Sequence, residues 1–388
     1  MPPVVLLAAI TAVGPIAMHL FVPSMPGLVE TFDTTPARVQ LTLTGYMLAL
    51  AFATLAYGPL SDRHGRRPVV LAGLSIYVAA SVLCALAPSI DALVAGRVLQ
   101  GIGGCTGLVL GRAIVRDCAS GERAAAVLAS ITMVMAVVPA LSPALGGYLD
   151  QWSGWRAGFV LLAVGGGCVL AASVAWLGET HRHARPGGGG FMRFAGTRVL
   201  LRSRVFVGYG LHCVSTLAAW YTVVAGAPYV MVTVMGYAPS DYGVWFVLIS
   251  AGWIGGNFLT SRIAEHLGIP RMVTLGASIS LAAAFALCAL IAAAPLTPAR
   301  LFVPLAVIGL GQGLSQPSAM SGAIGVRPDI AGRASGLLGF CQMATGAFAA
   351  QLLGTLQGDT AWPMALLALA FAAAALACGR LAAGRPRQ

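Results

Sequence analysis

Three ionisable side chains, His19, Arg112 and His212, fall inside long apolar runs of a 388-residue chain. A charge or titratable group in such a run is costly to keep and marks a functional position by default. Arginine holds its proton under working conditions, so Arg112 could fix an anion but could not itself carry a proton. Histidine titrates at about 6.5 when unperturbed, which suits it to proton uptake and release near neutrality. His212 lies near the start of its run, where the sequence predicts a snorkelling or capping role; His19 lies deeper. The twelve carboxylates, at positions 30, 33, 62, 91, 117, 122, 150, 179, 241, 265, 329 and 359, all fall in connections or at the ends of apolar runs. Two readings of His19 stay open: a group that takes up protons, and a hydrogen-bonded polar lining that does not titrate.

Membrane-spanning elements must position these side chains. The chain is 58% apolar and 9% charged with a mean hydropathy of +0.85, values that exclude a soluble globular protein of this length. Twelve runs near the roughly 20 residues that a bilayer-crossing helix needs are predicted at 4–29, 39–61, 69–88, 92–115, 124–149, 155–178, 205–232, 242–261, 272–294, 301–326, 334–357 and 361–380. No basic region precedes the first run and no small-residue cleavage pattern closes it, so it is read as a helix of the mature protein. Between the second and third runs, Gly58-Pro59-Leu60-Ser61-Asp62-Arg63-His64-Gly65-Arg66-Arg67-Pro68 concentrates charge and helix breakers, and reads as a tight loop at a membrane face.

The chain has no lysine, and 18 of its 23 arginines fall on the faces that hold the even-to-odd connections and the C-terminus. Arg38, Arg97, Arg156 and Arg300 are placed near the opposite face, and Arg112 within a run. Arginine-rich connections stay cytoplasmic, which predicts both termini inside. The net charge of +11 is then a topology signal and an affinity for anionic lipid, and no clustered basic domain points to nucleic acid. The connection at 179–204, with His181, His183 and six arginines, reads as a flexible cytoplasmic linker between an N-terminal six-helix half, 1–178, and a C-terminal half, 205–388. Gly255-Gly256-Asn257 through Arg262, Gly268 and Arg271 falls where a copy of the first polar loop would fall, a degenerate trace of duplication. The eight cysteines lack paired spacing and read as packing residues. No triad or carboxylate pair suggests an enzyme, and the glycine-rich stretches lack the lysine-hydroxyl ending of a phosphate loop. No cofactor, metal or nucleotide is therefore expected. A channel would show a repeated filter segment and a receptor a sizeable extramembrane domain; the sequence has neither.

The loop at 58–68, with Gly58, Asp62, Arg63, Gly65, Arg66 and Arg67, resembles the G-x-L-(S/A)-D-R-x-G-R-(K/R) signature of the major facilitator superfamily. In the fourth run, Arg97, Gln100, Gly101 and Gly104 resemble the family's R-x-x-Q-G pattern, and Arg112, Arg116 and Asp117 its R-A-x-V-R-D ending. Pro139, Pro143, Gly146 and Gly147 in the fifth run resemble the antiporter signature G-P-x-x-G-G, with Ser142 where glycine is usual. The resemblance implies an all-α fold of twelve transmembrane helices in two pseudo-symmetric halves with alternating access, the polar loop acting as a conformational latch. It also implies a transporter, not an enzyme.

From Val22-Pro23 to Asp359-Thr360-Ala361-Trp362-Pro363 the chain is similar to the Bcr/CflA branch of drug-resistance transporters. That branch implies efflux of small amphiphilic compounds across the bacterial inner membrane by proton antiport, with the protein a monomer. The same fold also admits a proton-independent facilitator or metabolite carrier. The branch reads D-M-Y-L-P where this chain has His19-Leu20-Phe21-Val22-Pro23. His19 thus stands in place of an intramembrane aspartate and is the candidate for proton coupling. Carriers of this architecture bind near the midplane between halves, which selects Tyr46, Trp220, Tyr221, Gln312, Gln316 and Gln342 as substrate-cavity candidates; helix packing is the competing role for each.

Overall fold

The computed structural model describes residues 2–180 and 194–383. Helices α1 (Val4–Phe21), α2 (Met25–Thr31), α3 (Pro36–His64), α4 (Arg66–Ala85), α5 (Ile90–Cys118), α6 (Gly121–Ser153) and α7 (Trp155–Trp176) build a first unit, Met1–Met192. Helices α8 (Phe194–Arg202), α9 (Arg204–Tyr229), α10 (Pro239–Ala293), α11 (Pro298–Ile324), α12 (Ala331–Leu356) and α13 (Trp362–Ala383) build a second, Arg193–Gln388. No strand occurs among the described residues.

Ten helical segments are long and apolar enough to cross a bilayer. One of them, α10, is 55 residues long and holds two spans, because its backbone breaks at Gly268 with φ 73° and ψ 161°. The 27-residue α11 is long enough to cross but less apolar, with Gln312, Gln316 and several serines along it. Helix starts follow from side-chain caps at the expected places: Thr35, Ser89, Ser203 and Thr297 each accept a hydrogen bond from the backbone N–H three residues on. His181 and His183 lie outside the described residues, and the connection at 179–204 closes with α8. Leu200 of α8 is buried in the core of the second unit with Phe206, Tyr209 and Leu338.

The 58–68 stretch is not the loop that its helix breakers suggest. Helix α3 runs unbroken through Gly58 and Pro59 to His64, and Gly65 alone makes the turn into α4. Ser61 Oγ donates to the Gly58 carbonyl within that last part of α3. Gly65 has φ 93° and ψ 157°, a conformation that costs a residue with a Cβ dearly. Gly268, with φ 73° and ψ 161°, makes a turn of the same conformation in the second unit, where the sequence predicts a degenerate copy of the first polar stretch. The residues after it are Ile269 and Pro270 instead of Arg66 and Arg67, and Ile269 packs on the apolar core.

Helix α5 is the centre of the first unit, with α1, α3 and α4 packed round it. Its glycines let backbones meet directly: a Cβ on Gly107 would run into the Ile10 carbonyl of α1. Gly107→Ala is expected to cost about 1–3 kcal/mol by overpacking, while Gly165→Ala, with open space around it, leaves the melting temperature of the detergent-solubilised protein unchanged. Thermal unfolding of the two variants side by side checks this.

Candidate functional site

The largest fully buried side chain is that of Arg97, at 0% exposure. Near the start of α5, it is enclosed in the packing of α1, α3, α5 and α7. Its Nη1 donates to the Ala17 carbonyl at 3.1 Å and to Gln100 Oε1, and its Nε to the Thr42 carbonyl at 3.4 Å. Aromatic faces enclose the rest, with Tyr46 at 4.2 Å, Phe21 at 4.9 Å and Phe159 at 5.9 Å from Cζ to ring centroid. Gln100 passes the network on, donating to Ser81 Oγ at 2.8 Å, which donates in turn to the Tyr77 carbonyl of α4. Among the described residues no carboxylate is paired with Arg97. Tyr46 is itself 0% exposed and donates to the Gly14 carbonyl at 2.7 Å, so it is a packing residue and not a wall of an open cavity. Gly101 lies against the Tyr46 backbone and Gly104 against Gly14.

His19 is in the last turn of α1, two residues from Ala17, and is 6% exposed. Gly146 of α6 seats directly on the carbonyl of Leu20, its neighbour, where any Cβ would collide. Pro143 and Gly147 are buried and Pro139 is half-buried along the same helix, which continues through both prolines. Ser24, beyond the end of α1, hydrogen-bonds the Asp150 carboxylate near the end of α6. Arg112 is exposed, six residues before the end of α5, and is no buried intramembrane charge; Arg116 is exposed beside it.

The Gly65 turn gathers four helices. Arg66 is buried and pairs with Asp62 of α3 at 2.7 Å and Asp117 of α5 at 2.9 Å, and also donates to Ser61 Oγ. Arg67 donates through Nε to the Leu177 carbonyl at 2.7 Å and through Nη2 to the Val174 carbonyl at 3.0 Å, closing the C-terminal end of α7. Glu179 answers from the other side: its carboxylate accepts the backbone N–H of Arg66 at 3.0 Å and of Arg67 at 3.2 Å. The anion thus sits on the N-terminus of α4 and the cation on the C-terminus of α7, each favoured by the local helix dipole. A side chain at position 65 would occupy the place of the Glu179 carboxylate. Arg63 is exposed.

In the second unit, Trp220 of α9 meets Phe246 and Trp253 of α10 with ring centroids 6.1 and 6.4 Å apart. Tyr221 donates to Met343 Sδ of α12 at 3.9 Å. Gln342, next to Met343, is buried with no hydrogen-bond partner for Nε2 among the described residues. Gln316 is half-buried. Gln312 is only 3% exposed and faces a small internal cavity, not an open one. His212 neither snorkels nor caps: it is wholly buried, with Nδ1 2.8 Å from the Ala375 carbonyl of α13 and Nε2 3.4 Å from Thr216 Oγ1.

Residues 7–350 match the family model described as Major Facilitator Superfamily. The chain belongs to the Major Facilitator Superfamily. It is a membrane transporter, not an enzyme. It is 28% identical over 376 residues to the chloramphenicol resistance protein of Pseudomonas aeruginosa, covering 96% of this chain and 88% of that one. It is 29% identical over 383 residues to multidrug resistance protein D of Escherichia coli, covering 94% and 92%. Among solved structures, a peptide transporter POT in complex with sulfate superposes with a TM-score of 0.79 at 16% identity, over 99% of this chain and 94% of that one.

Within this superfamily member, sequence reading placed Glu179 only as one carboxylate in a connection. Its signal was its position, three residues past the last apolar residue of a helix that ends beside an arginine pair. Glu179→Ala is expected to cost about 1 kcal/mol, as loss of a helix cap does, and to speed hydrogen exchange at the Arg66 and Arg67 amides; exchange mass spectrometry reads both. Arg97→Lys, which cannot reproduce the guanidinium fork, is expected to destabilise by about 1.5–3 kcal/mol, seen as a lower melting temperature than that of wild type.

Proposed function

We propose that this transporter exports small amphiphilic compounds, drugs among them, from the bacterial cytoplasm. It does so as a monomer in the inner membrane with both termini cytoplasmic. Export is driven by proton antiport with alternating access. Relatives named for chloramphenicol and multidrug resistance, at 28% and 29% identity over nearly the whole chain, support the substrate class. The coupling reading is carried by one observation: His19 is a buried titratable group in α1, while the carboxylates of this unit stand at helix ends or connections. A proton carrier must change charge within the span, and Arg97, which also lies there, keeps its proton. Arg97 holds α1 through the Ala17 carbonyl two residues from His19, and Gly146 of α6 sits on the Leu20 carbonyl beside it. In the second unit the aromatic group of Trp220, Phe246 and Trp253 and the Gln342 amide suit an apolar compound with few hydrogen-bonding groups. The Gly65 turn with Asp62, Arg66, Arg67, Asp117 and Glu179 serves as the conformational latch.

The competing reading, a facilitator or metabolite carrier that does not couple to protons, is favoured by the absence of a span-centre carboxylate in α1. Drug accumulation in energised membrane vesicles, with a panel of phenicols, sulfonamides and cationic dyes, separates the two. Wild type is expected to expel a compound only while the proton gradient stands, and His19→Ala to lose at least about tenfold of that gradient-driven rate, which corresponds to roughly 1.4 kcal/mol. A His19→Ala protein that pumps as wild type removes the coupling role from His19. A wild type that moves no compound against its gradient puts the facilitator first.

A further inference from the structure

One layer of helix packing differs between the two units. Gly104 and Gly107 stand 15 and 18 residues after Ser89, the N-cap of α5, as Gln312 and Ser315 stand 15 and 18 residues after Thr297, the N-cap of α11. In α5 the two glycines press on the α1 backbone at Gly14 and Ile10 and leave no space. In α11 the amide and hydroxyl side chains at those positions face Thr216 of α9, Ser280 of α10 and Ala375 of α13 across a cavity of about 10 Å³. That volume is close to the lower bound for a single water molecule.

The polar groups round the cavity do not satisfy one another. Thr216, Ser280, Gln312 and Ser315 are 3%, 5%, 3% and 1% exposed, so bulk solvent does not serve them. The Ala375 carbonyl can only accept, so His212 Nδ1 carries the hydrogen and Nε2 of the neutral ring accepts from the Thr216 hydroxyl. Ser280 Oγ donates to the Ile308 carbonyl at 3.1 Å. The Thr216 and Ser280 hydroxyls have therefore committed their hydrogens and keep lone pairs free. No group among the described residues is bonded to the Gln312 amide, which can supply the missing donor. A buried amide left without a partner would cost about 1–3 kcal/mol.

We propose that this cavity is a binding site for one ordered water molecule, which donates to Thr216 Oγ1 and Ser280 Oγ and accepts from Gln312 Nε2. Three hydrogen bonds is the usual complement of a buried water. With the water in place, an unbroken hydrogen-bonded chain runs from the Ala375 carbonyl through His212, Thr216 and the water to Gln312, linking α13, α9 and α11. Gln312 then belongs to the interior of its own unit and not to substrate contact. The site stands whether or not His19 carries the coupled proton.

A structure of the full-length wild-type chain at a resolution that shows ordered solvent tests this without any substitution. The expected result is a solvent peak within hydrogen-bond distance of Thr216, Ser280 and Gln312. Gln312→Met, similar in length and without the amide, is expected to lose that peak and no other, and to lower the melting temperature by about 2–4 °C. An empty wild-type cavity, or a Gln312 amide bonded directly to Ser280 or Ser315, overturns the proposal. A peak that survives Gln312→Met unchanged overturns it as well.

Discussion

The burial of the Arg97 guanidinium is the constraint on which the first unit is built. Removing an arginine from water costs several kcal/mol even after relaxation, and no carboxylate among the described residues offsets it. Hydrogen bonds to a charged donor contribute about 1.5–3 kcal/mol each, and a desolvated cation over an aromatic face about 2 kcal/mol. Two or three of the former and one or more of the latter are needed before burial breaks even. The Ala17 and Thr42 carbonyls, the Gln100 amide and the Tyr46 ring therefore act as a set, and they come from α1, α3 and α5. The glycines of α5 are a consequence of the same constraint, since only backbone-to-backbone approach brings those carbonyls within reach of one side chain.

The Gly65 turn solves a second electrostatic problem with the opposite means. There the charges remain near solvent, and four helix ends meet. Arg66 bridges the carboxylates of α3 and α5, while Glu179 and Arg67 exchange places across α4 and α7, each satisfying backbone groups that a helix terminus leaves open. The positive φ of Gly65 makes room for the carboxylate as well as for the turn, so one missing Cβ answers two requirements.

The hydropathy pattern was enough to read the fold, because spans of about 20 apolar residues have few alternatives in a bilayer. Charged residues were misleading where they are structural. Arg97 and Arg112 both sit among apolar residues of α5, yet one is fully buried and the other is exposed, since burial depends on which helix face meets a neighbour. Gly58 and Pro59 suggested an early helix end; α3 continues past them to His64, with the Ser61 hydroxyl bonded to the Gly58 carbonyl. His212 looked like an end-of-helix residue because the sequence does not show that α13 covers it. The partners of Glu179 and the cavity beside Gln312 were not legible for the same reason, being made by residues far apart in the chain.

The two copies of the positive-φ turn have diverged in what holds them. At Gly65 the adhesive is charge, at Gly268 it is a half-buried isoleucine side chain, Ile269, packed on an apolar core. Ionic strength screens the first and barely touches, or even reinforces, the second. Added salt therefore weakens the charged joint at Gly65 more than the apolar joint at Gly268.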